Sequence, residues 1–553
     1  MPDSVETSGS APPTLFRRAL RQFRPSHEHS AFSATLLLMT AVMLSRVIGY
    51  VREAYIAWAF GAGPLTDAYN AAFTIPDWLN YLVAGGTASI TFIAIYTRFL
   101  SEKREAEAGK TFSVIITVMS TVLIVGIVLM EVFTRPIERI VFPGFSPSQL
   151  DLCVNLTRIL LPAQLFFYVG AVLSAVLLSR RMFLIPAFTG VVYNIGIIAG
   201  GVIGARRFGI ASLAAGAVAG CVLGPFLLNA IGAARTGIRY RPSFDTRNPA
   251  FREWVWLSIP LMLGVSLATA DDWILRFFAS HGIGDITRLN YAKRLFAVPM
   301  AVLGQATGQA SLPFFARLWG EKKTAEFVAQ VNGSVYRVSA ASLLASAWMM
   351  AAALPVIDLL YRRGRFQFSD SQETAALFFC FAISLAFWSA QALYARAFYA
   401  TGNTLTPMVA ATIVTAASLP VYWALFHAFN VTGLALASDI GIFANTVVLA
   451  LLLHRKGLVP MSSLPWRELG KALVTAVLAG AAAFFAARAI PVHGSRLADF
   501  ESLGMATLTW AAGVAAGLWI TRSELPRHLF RRRSLLSAAV RAENGTPPPE
   551  IQP

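Results

Sequence analysis

The chain has 553 residues, of which 56 % are hydrophobic and 14 % charged. A soluble domain carries about 25 % charged residues, so this composition excludes an ordinary cytosolic enzyme, a disordered scaffold and a nucleic-acid-binding tail protein. It is typical of a polytopic membrane protein. In that class the formal net charge of +17 indicates basic cytoplasmic loops that face anionic lipid, and no nucleic-acid partner.

The N-terminal segment, residues 1–31, is polar and contains Arg17, Arg18, Arg21 and Arg24. It lacks the apolar core of about 7–15 residues and the small-residue cleavage site that define a signal peptide. We therefore predict an uncleaved, disordered cytoplasmic tail.

Apolar segments follow, each long enough for the roughly 20 residues of a helical span. They predict an all-α polytopic membrane protein with about 14 transmembrane helices. Lysine and arginine are more frequent in the loops on the side of the N-terminus, and an even number of spans places both termini in the cytoplasm. The predicted spans lie near residues 33–58, 64–97, 112–134, 152–178, 183–205, 209–233, 254–280, 286–316, 336–361, 374–400, 407–429, 431–454, 469–490 and 499–521.

A repeat relates the two halves of the chain at an offset of 222 residues. Residues 86–94 (GTASITFIA) match residues 308–316 (GQASLPFFA), and Tyr69 pairs with Tyr291 at the same offset. The alternative is chance similarity between apolar helices rich in small residues. A true repeat predicts two six-helix lobes of the same orientation, and such lobes bind a substrate between them and rock for alternating access.

The predicted boundaries follow from this repeat, and the last two spans lie outside it. The parts are a disordered tail (1–31), an N-lobe (32–233), a cytoplasmic linker (234–253), a C-lobe (254–456), two further spans (457–522) and a cytoplasmic tail (523–553).

Charged residues occur inside the spans that open the two repeats. A central Arg or Lys costs about 2.5–3.5 kcal/mol on insertion scales, so such residues indicate function by default. A hydrated cationic cavity would lower this cost, and arginine has a planar fork that suits the phosphate of an anionic substrate. The alternative is ion pairing that only holds helices together. The residues are Arg46, Arg52, Glu53, Asp67, Asp77, Asp271, Asp272, Arg276, Lys293 and Arg294.

Glycine and proline inside spans mark positions where transporter helices bend. We predict hinges at Gly85, Gly86, Pro299 and Gly308. Asp439, early in the twelfth span, has two interpretations, an ion-coupling group or a structural residue, and the structural one is the more common.

Motifs for catalysis or metal binding do not occur in the sequence, and without a P-loop we expect no ATP hydrolysis. The sequence predicts no catalytic residues, no cofactor and no metal. The energy for transport would come from the membrane potential, the substrate gradient or the gradient of an unidentified ion.

Several motifs together resemble the MurJ (MviN) family, the lipid II flippases of the MOP exporter superfamily. SRVIGYVRE at 45–53, FGAG at 60–63, TDA at 66–68 and FTIP at 73–76 are similar to its first two helices. YAKRL at 291–295 resembles its eighth helix, and GNTLTP at 402–407 the loop before the eleventh. The resemblance implies a V-shaped transporter in which the last two helices form a groove for a lipid tail.

The resemblance also assigns roles to residues. Arg46, Arg52 and Arg294 match the cavity arginines that meet the substrate diphosphate, and Asp67 matches an important acidic position. We expect Asp67, Glu53 and Asp272 to orient these cations and to gate the cavity.

The chain departs from the family pattern at three places. Asn80 and Tyr81 stand where the family usually has two arginines, Gly85 stands in place of a glutamate, and Lys293 in place of an aspartate. Our hypothesis is that Lys293 replaces the missing positive charge and contacts the diphosphate together with Asn80. The polar residues that bind sodium in some members are absent from residues 415–422.

The sequence thus predicts a monomeric transporter, not an enzyme, in the bacterial inner membrane. It would move lipid II, the undecaprenyl-diphosphate-linked peptidoglycan precursor, from the cytoplasmic to the periplasmic leaflet, in support of cell-wall biogenesis and cell shape. Its partners would be lipid II, or a related polyprenyl-diphosphate lipid, and membrane lipids. The alternative is a flippase of the same superfamily for another polyprenyl-diphosphate-linked oligosaccharide, such as an O-antigen unit. A cationic cavity disfavours a drug or cation antiporter, and its charges disfavour a membrane scaffold.

Overall fold

The computed structural model describes residues 31–81, 86–263, 267–490 and 495–526. The predicted N-terminal tail up to residue 30, the hinge at Gly85 and the predicted C-terminal tail from residue 527 lie outside the described residues. Within the described ranges every regular element is a helix. This confirms the all-α fold class.

Eleven helices lie in the described residues up to position 263, and a π-helical turn at Val222–Leu228 separates α9 from α10. They are α1 (Ala31–Phe60), α2 (Pro64–Ala71), α3 (Thr74–Leu79), α4 (Gly86–Ser101), α5 (Glu105–Val141), α6 (Pro147–Leu160), α7 (Ala163–Ser179), α8 (Leu184–Phe208), α9 (Ala211–Cys221), α10 (Asn229–Ala234) and α11 (Pro249–Leu263).

Ten more helices lie in the described residues from position 267 onward, and a second π-helical turn at Met300–Ala306 follows α13. They are α12 (Leu267–Ala279), α13 (Asp285–Pro299), α14 (Thr307–Gly320), α15 (Thr324–Ala351), α16 (Ala353–Tyr361), α17 (Phe368–Ile383), α18 (Leu385–Ala400), α19 (Leu405–Arg455), α20 (Trp466–Arg488) and α21 (Arg496–Ile520). A short 3₁₀ turn, Met461–Ser463, precedes α20.

Seven stretches of the described chain are helices long and apolar enough to cross a membrane, or nine if each of two bent helix pairs counts as one span. One of the seven, α19, has 51 residues and would be about 76 Å long if it were straight, far more than the roughly 30 Å of a bilayer core. It is broken at Asn430, whose φ of 51° is left-handed. The predicted eleventh and twelfth spans are its two arms.

The predicted second and eighth spans are interrupted in the structure. The second is divided between α2 and α3, and the eighth by the π-helical turn between α13 and α14. These spans carry most of the predicted site, and breaks in membrane helices are tolerated where the backbone is buried in protein or lines a cavity. The count of fourteen spans stays a prediction.

The chain divides into two compact units. The first contains residues 1–52, 75–134 and 155–263, and the second contains residues 53–74, 135–154 and 264–553. The division passes between Arg52 and Glu53. Residues 53–74 therefore pack with helices that the repeat assigns to the other lobe.

A glycine seam joins α8 to α9 in the first unit. A Cβ atom built on Gly200 would lie 2.6 Å from the Cα of Gly216, and one built on Gly196 would lie 2.4 Å from the Cα of Gly220. The two backbones are therefore in direct contact, which only glycine allows. Small-residue contacts of this kind let membrane helices gain packing energy without a hydrophobic driving force.

The core of the second unit is built from α14, α15, α18 and α19. Its centre contains Phe315, Phe327, Leu393, Phe398 and Leu453, none of which is exposed. This packing fixes α19, which carries Tyr422 of the site described next.

Candidate functional site

Asp67 is the first residue of the site, and it is fully buried between α2 and the start of α13. Its carboxylate accepts hydrogen bonds from the backbone N–H groups of Gly284 and Thr287, at 2.5 and 2.9 Å, and from the Thr287 hydroxyl at 2.7 Å. Gly284 has a φ of 84° and caps the helix. Asp67 thus supplies negative charge at a helix N-terminus, where the helix dipole favours it.

Three further contacts, made by Asn70 and Glu53, continue along the same pair of segments. Asn70 donates to the Thr287 hydroxyl at 3.2 Å and accepts a hydrogen bond from Asn290 at 3.0 Å. Glu53, at the start of this unit, pairs with Arg294 at 2.9 Å. We call these contacts of residues 53, 67 and 70 with α13 the polar ladder.

Arg294 and Glu53 differ in exposure. The Glu53 side chain is 4 % exposed, whereas 42 % of the Arg294 side chain is accessible. The Arg294 Nε atom also donates to the Asn290 side chain at 3.3 Å. Glu53 and Asn290 therefore hold the Arg294 guanidinium in place, while part of the side chain stays accessible to a charged ligand.

The arginines of α1 lie in the first unit. Arg52 donates to the Asn194 side-chain oxygen of α8 at 2.8 Å, and Arg46 is exposed. Asn80 is half-buried just beyond the end of α3. The sequence analysis missed Asn194, although a single asparagine inside the apolar stretch 184–208 was a signal for a polar contact.

Lys293 lies between two carboxylates of α12. Its Nζ atom is 2.5 Å from Asp271 Oδ2 and 2.5 Å from Asp272 Oδ1. The Tyr422 hydroxyl of α19 donates to the other oxygen of Asp271. We call Asp271, Asp272, Lys293 and Tyr422 the lysine cluster. The predicted gating residue Asp272 is its exposed member, with half of its side chain accessible.

Arg276 and Arg288 also have specific partners in the second unit. Arg276 donates to the Thr74 hydroxyl at 2.8 Å. Arg288 pairs with Asp370 at 2.8 Å and with Glu373 at 2.7 Å. Sequence reasoning did not single out Arg288, because it stands where a span begins and a snorkelling side chain is the ordinary expectation.

A second contact region lies in the first unit, between α4 and α11. Arg98 pairs with Glu253 through two hydrogen bonds of 2.9 and 2.6 Å, and the hydroxyls of Thr91 and Ser258 are 3.0 Å apart. The hydrogen bonds from Arg98 lower the pKa of Glu253. The bidentate geometry is the strongest that an arginine and a carboxylate form.

Two of the predicted hinges flank the π-helical turn of the eighth span. Pro299 ends α13 directly before this turn, and Gly86 is the first described residue of α4. Gly308 lies after the turn, where an added Cβ would be 3.5 Å from the Ala392 side chain, an ordinary contact. π-helical turns are frequent at functional sites.

An apolar groove of about 480 Å³ runs between α15, α17 and α20. Its lining includes Met350, Phe379, Leu473 and Phe484. Of the two predicted tail-groove spans, the thirteenth contributes through α20. Within the described residues, no group of three or more His, Cys, Asp and Glu side chains could hold a metal ion.

The comparison with protein families decides the identity of the fold. The family model described as "Lipid II flippase MurJ" matches residues 56–495, more than three quarters of the chain. The chain belongs to the MurJ family. The match begins just after Glu53, so it includes the residues of the polar ladder from position 56 onward and all of the lysine cluster.

Curated members of the MurJ family are similar over most of their length. A lipid II flippase MurJ from Burkholderia cenocepacia is 30 % identical, with 77 % of this chain and 84 % of that protein covered. A probable lipid II flippase MurJ from Rhizobium tropici is 27 % identical, with 91 % and 98 % covered. One from Thermotoga maritima is 26 % identical, with 76 % and 85 % covered.

Solved structures show the same fold. A lipid II flippase MurJ in an inward closed conformation matches with a TM-score of 0.73 at 21 % identity, covering 87 % of this chain and 99 % of that one. An inward-facing multidrug resistance MATE transporter of the MOP superfamily matches with a TM-score of 0.60 at 14 % identity, covering 76 % and 98 %. The predicted resemblance to the MurJ family is thereby confirmed, and these structures share the fold of the chain.

Proposed function

We propose that this chain is a lipid II flippase that moves the undecaprenyl-diphosphate-linked precursor from the cytoplasmic to the periplasmic leaflet by alternating access. It is a transporter of the bacterial inner membrane with both termini in the cytoplasm. Membership of the MurJ family supports the substrate. The observation that carries the mechanism is the Arg294–Glu53 pair, in which a half-exposed guanidinium is held by a buried carboxylate.

The pair links substrate binding to a change of contacts. A diphosphate offers the guanidinium two charged oxygens in the planar geometry that arginine prefers. It therefore competes with Glu53 for Arg294. Because a ligand shifts a conformational equilibrium only by its differential affinity for the two states, this exchange gives the substrate a means to weaken the polar ladder.

The polar ladder is the contact that must separate on the periplasmic side. With the N-terminus in the cytoplasm, the turn between α1 and α2 and the start of α13 both face the periplasm. Asp67, Asn70 and Glu53 then join the opening of the first repeat to the second. Arg98 and Glu253 form the corresponding contact near the cytoplasmic side.

Complementation tests the proposed substrate. A bacterium depleted of its own lipid II flippase should regain growth and cell shape when this chain is expressed, because the cell then exports its peptidoglycan precursor again. Membrane levels of the protein are measured in parallel. Failure to rescue by a well-expressed chain would contradict the proposal. It would favour a flippase for another polyprenyl-diphosphate-linked oligosaccharide. The neutral Asn80 and the ion-paired Lys293 are the observations that support this alternative.

Lys293 provides a separate prediction. We expect Lys293→Ala to reduce transport strongly, because it leaves the buried Asp271 without its cation, and breaking a buried pair costs about 3–5 kcal/mol. Asp271→Asn in the same chain should restore much of the activity. If Lys293 instead binds the diphosphate, the second change restores nothing. The measurement is rescue of the depleted strain, normalised to membrane level, with Arg294→Ala in parallel. Full transport by Lys293→Ala, with Arg294→Ala inactive, would refute our sequence hypothesis that Lys293 supplies missing cavity charge.

A further inference from the structure

Asn194 of α8 is a buried polar residue that holds an arginine of the neighbouring helix α1. The residue is 8 % exposed, and its side-chain oxygen accepts a hydrogen bond of 2.8 Å from Arg52 Nη1. Its side-chain nitrogen donates to the Gly190 carbonyl, one turn earlier on α8, at 2.8 Å. The same nitrogen donates to the Ser45 carbonyl of α1 at 3.5 Å. Both ends of the amide are therefore bonded, as a buried polar group in a membrane helix requires.

These partners fix the direction in which the Asn194 amide faces. The guanidinium of Arg52 has only donors, whereas the carbonyls of Gly190 and Ser45 are only acceptors. A rotated amide would place its NH₂ group against the guanidinium and its oxygen against two carbonyl oxygens, so all three contacts would become repulsive. The surroundings of Asn194 therefore hold its oxygen towards Arg52.

Small residues bring α1 and α8 together around this amide. A Cβ atom added to Gly190 would lie 2.7 Å from the Ser45 hydroxyl oxygen. One added to Gly49 would lie 3.8 Å from the Asn194 side-chain oxygen. Ser45, Gly49 and Arg52 follow one another at helical spacing on one face of α1. The two helices are therefore close enough for the short asparagine side chain to reach both the backbone and the guanidinium of α1.

The Asn194 amide is electrically neutral, unlike the groups that hold two other cations of the chain. Lys293 is bound by two aspartates, and Arg294 is bound by Glu53. An anionic ligand must displace such a carboxylate or share the cation with it. Asn194 orients the guanidinium of Arg52 and adds no negative charge. An arginine that is ordered in advance also loses less conformational entropy when it binds a ligand.

We propose that Asn194 is a positioning residue that orients Arg52 to bind the substrate diphosphate and does not compete with that diphosphate for the guanidinium. The inference rests on the proposed flippase function. Arg52 is half-buried inside the first apolar span, where a cation is costly unless it has a function. Asn194 acts through Arg52 and does not contact the substrate itself. Its replacement therefore changes the affinity for the diphosphate only while Arg52 is present.

Equilibrium binding to the full-length protein in lipid nanodiscs tests this role. The probes are lipid II and undecaprenyl diphosphate, which carries the same diphosphate without sugar or peptide. Asn194→Leu removes the hydrogen bond to the charged Arg52 and should weaken the binding of both probes about tenfold. Asn194→Asp should also weaken binding, because its carboxylate competes with the diphosphate for the guanidinium.

Asn229 of α10 provides the matched control. It is 2 % exposed, and its side-chain nitrogen donates to the carbonyls of Pro225 and Gly170 at 2.8 and 3.2 Å. Asn229→Leu removes a buried amide from the same unit and should lower the unfolding temperature, but it should leave the affinity for both probes unchanged. A purely structural role of Asn194 predicts the same result for Asn194→Leu, and that result would overturn the proposal.

A double-mutant cycle tests whether Asn194 acts through Arg52. Arg52→Lys keeps the positive charge but lacks the Nη1 atom that Asn194 holds, so adding Asn194→Leu should change its affinity less than about twofold. An equal tenfold loss in both backgrounds would overturn the proposal. If the wild type binds undecaprenyl diphosphate but not lipid II, the proposed substrate fails, while the same variants still decide the role of Asn194. A wild type that binds neither probe would overturn both proposals.

Discussion

Arg294→Ala is expected to abolish rescue of a strain depleted of its lipid II flippase. The change removes a half-exposed guanidinium, and it leaves Glu53, 4 % exposed, without its partner. An uncompensated buried charge costs about 3–5 kcal/mol, so part of the loss would be structural. Growth of the depleted strain and the membrane level of the variant are measured together.

Two further variants separate the structural loss from the loss of binding. Arg294→Ala combined with Glu53→Gln removes the orphaned charge, so we expect the membrane level to recover while transport stays absent. Arg294→Lys keeps the charge but loses the planar fork, and we expect weakened transport in a well-folded protein. Arg317→Ala, at an arginine whose side chain is 75 % exposed, is the control and should rescue fully. Normal transport by the double variant would refute a substrate-binding role for Arg294.

The second large effect is expected at the glycine seam. Gly216→Ala would place a Cβ atom 2.6 Å from the Gly196 carbonyl oxygen and 2.9 Å from the Gly200 Cα atom. Both obstacles are backbone, so α8 and α9 must separate. Overpacking costs about 1–3 kcal/mol where side chains can adjust, and occasionally more. We place this substitution at the upper end of that range, and expect a clear fall in the thermal unfolding temperature.

Gly504→Ala is the matched control for this prediction. An added Cβ there meets no atom within 4 Å, and Gly504 also lies inside a membrane helix. Alanine is the better helix former by about 1 kcal/mol, so this variant should be as stable as the wild type or slightly more so. The measurement is the unfolding temperature of purified protein in detergent. Equal temperatures for both variants would show that α8 and α9 are not in backbone contact.

The helical fold could be predicted because apolar segments of span length can be identified in the amino-acid sequence alone. The breaks in the second and eighth spans could not be predicted, since Pro299 alone does not distinguish a bent helix from a π-helical turn. Charged positions such as Arg294 and Lys293 stood out because charge is costly in a membrane. The partners of these residues could not be predicted from the sequence, because Glu53 and Arg294 are far apart in the chain and only tertiary packing joins them.

The two interpretations of the buried charges both stay predictions. Lys293 forms ion pairs with two carboxylates. Arg46 is exposed and Arg294 is half-exposed. Asp67 belongs to neither group, because it caps a helix. Its contact with Thr287 spans 220 residues, close to the repeat offset of 222, so nearly equivalent positions of the two repeats touch each other.

The ammonium group of Lys293 has a consequence for the electrical balance of transport. A metal ion bound by the same two carboxylates could dissociate into the solution, and its charge would then be transported across the membrane. Lys293 is covalently part of the chain, so any displacement of its charge in one half of the transport cycle is reversed in the other half. The net displacement over a complete cycle is zero. The Lys293 ammonium group therefore adds no net charge movement to a turnover.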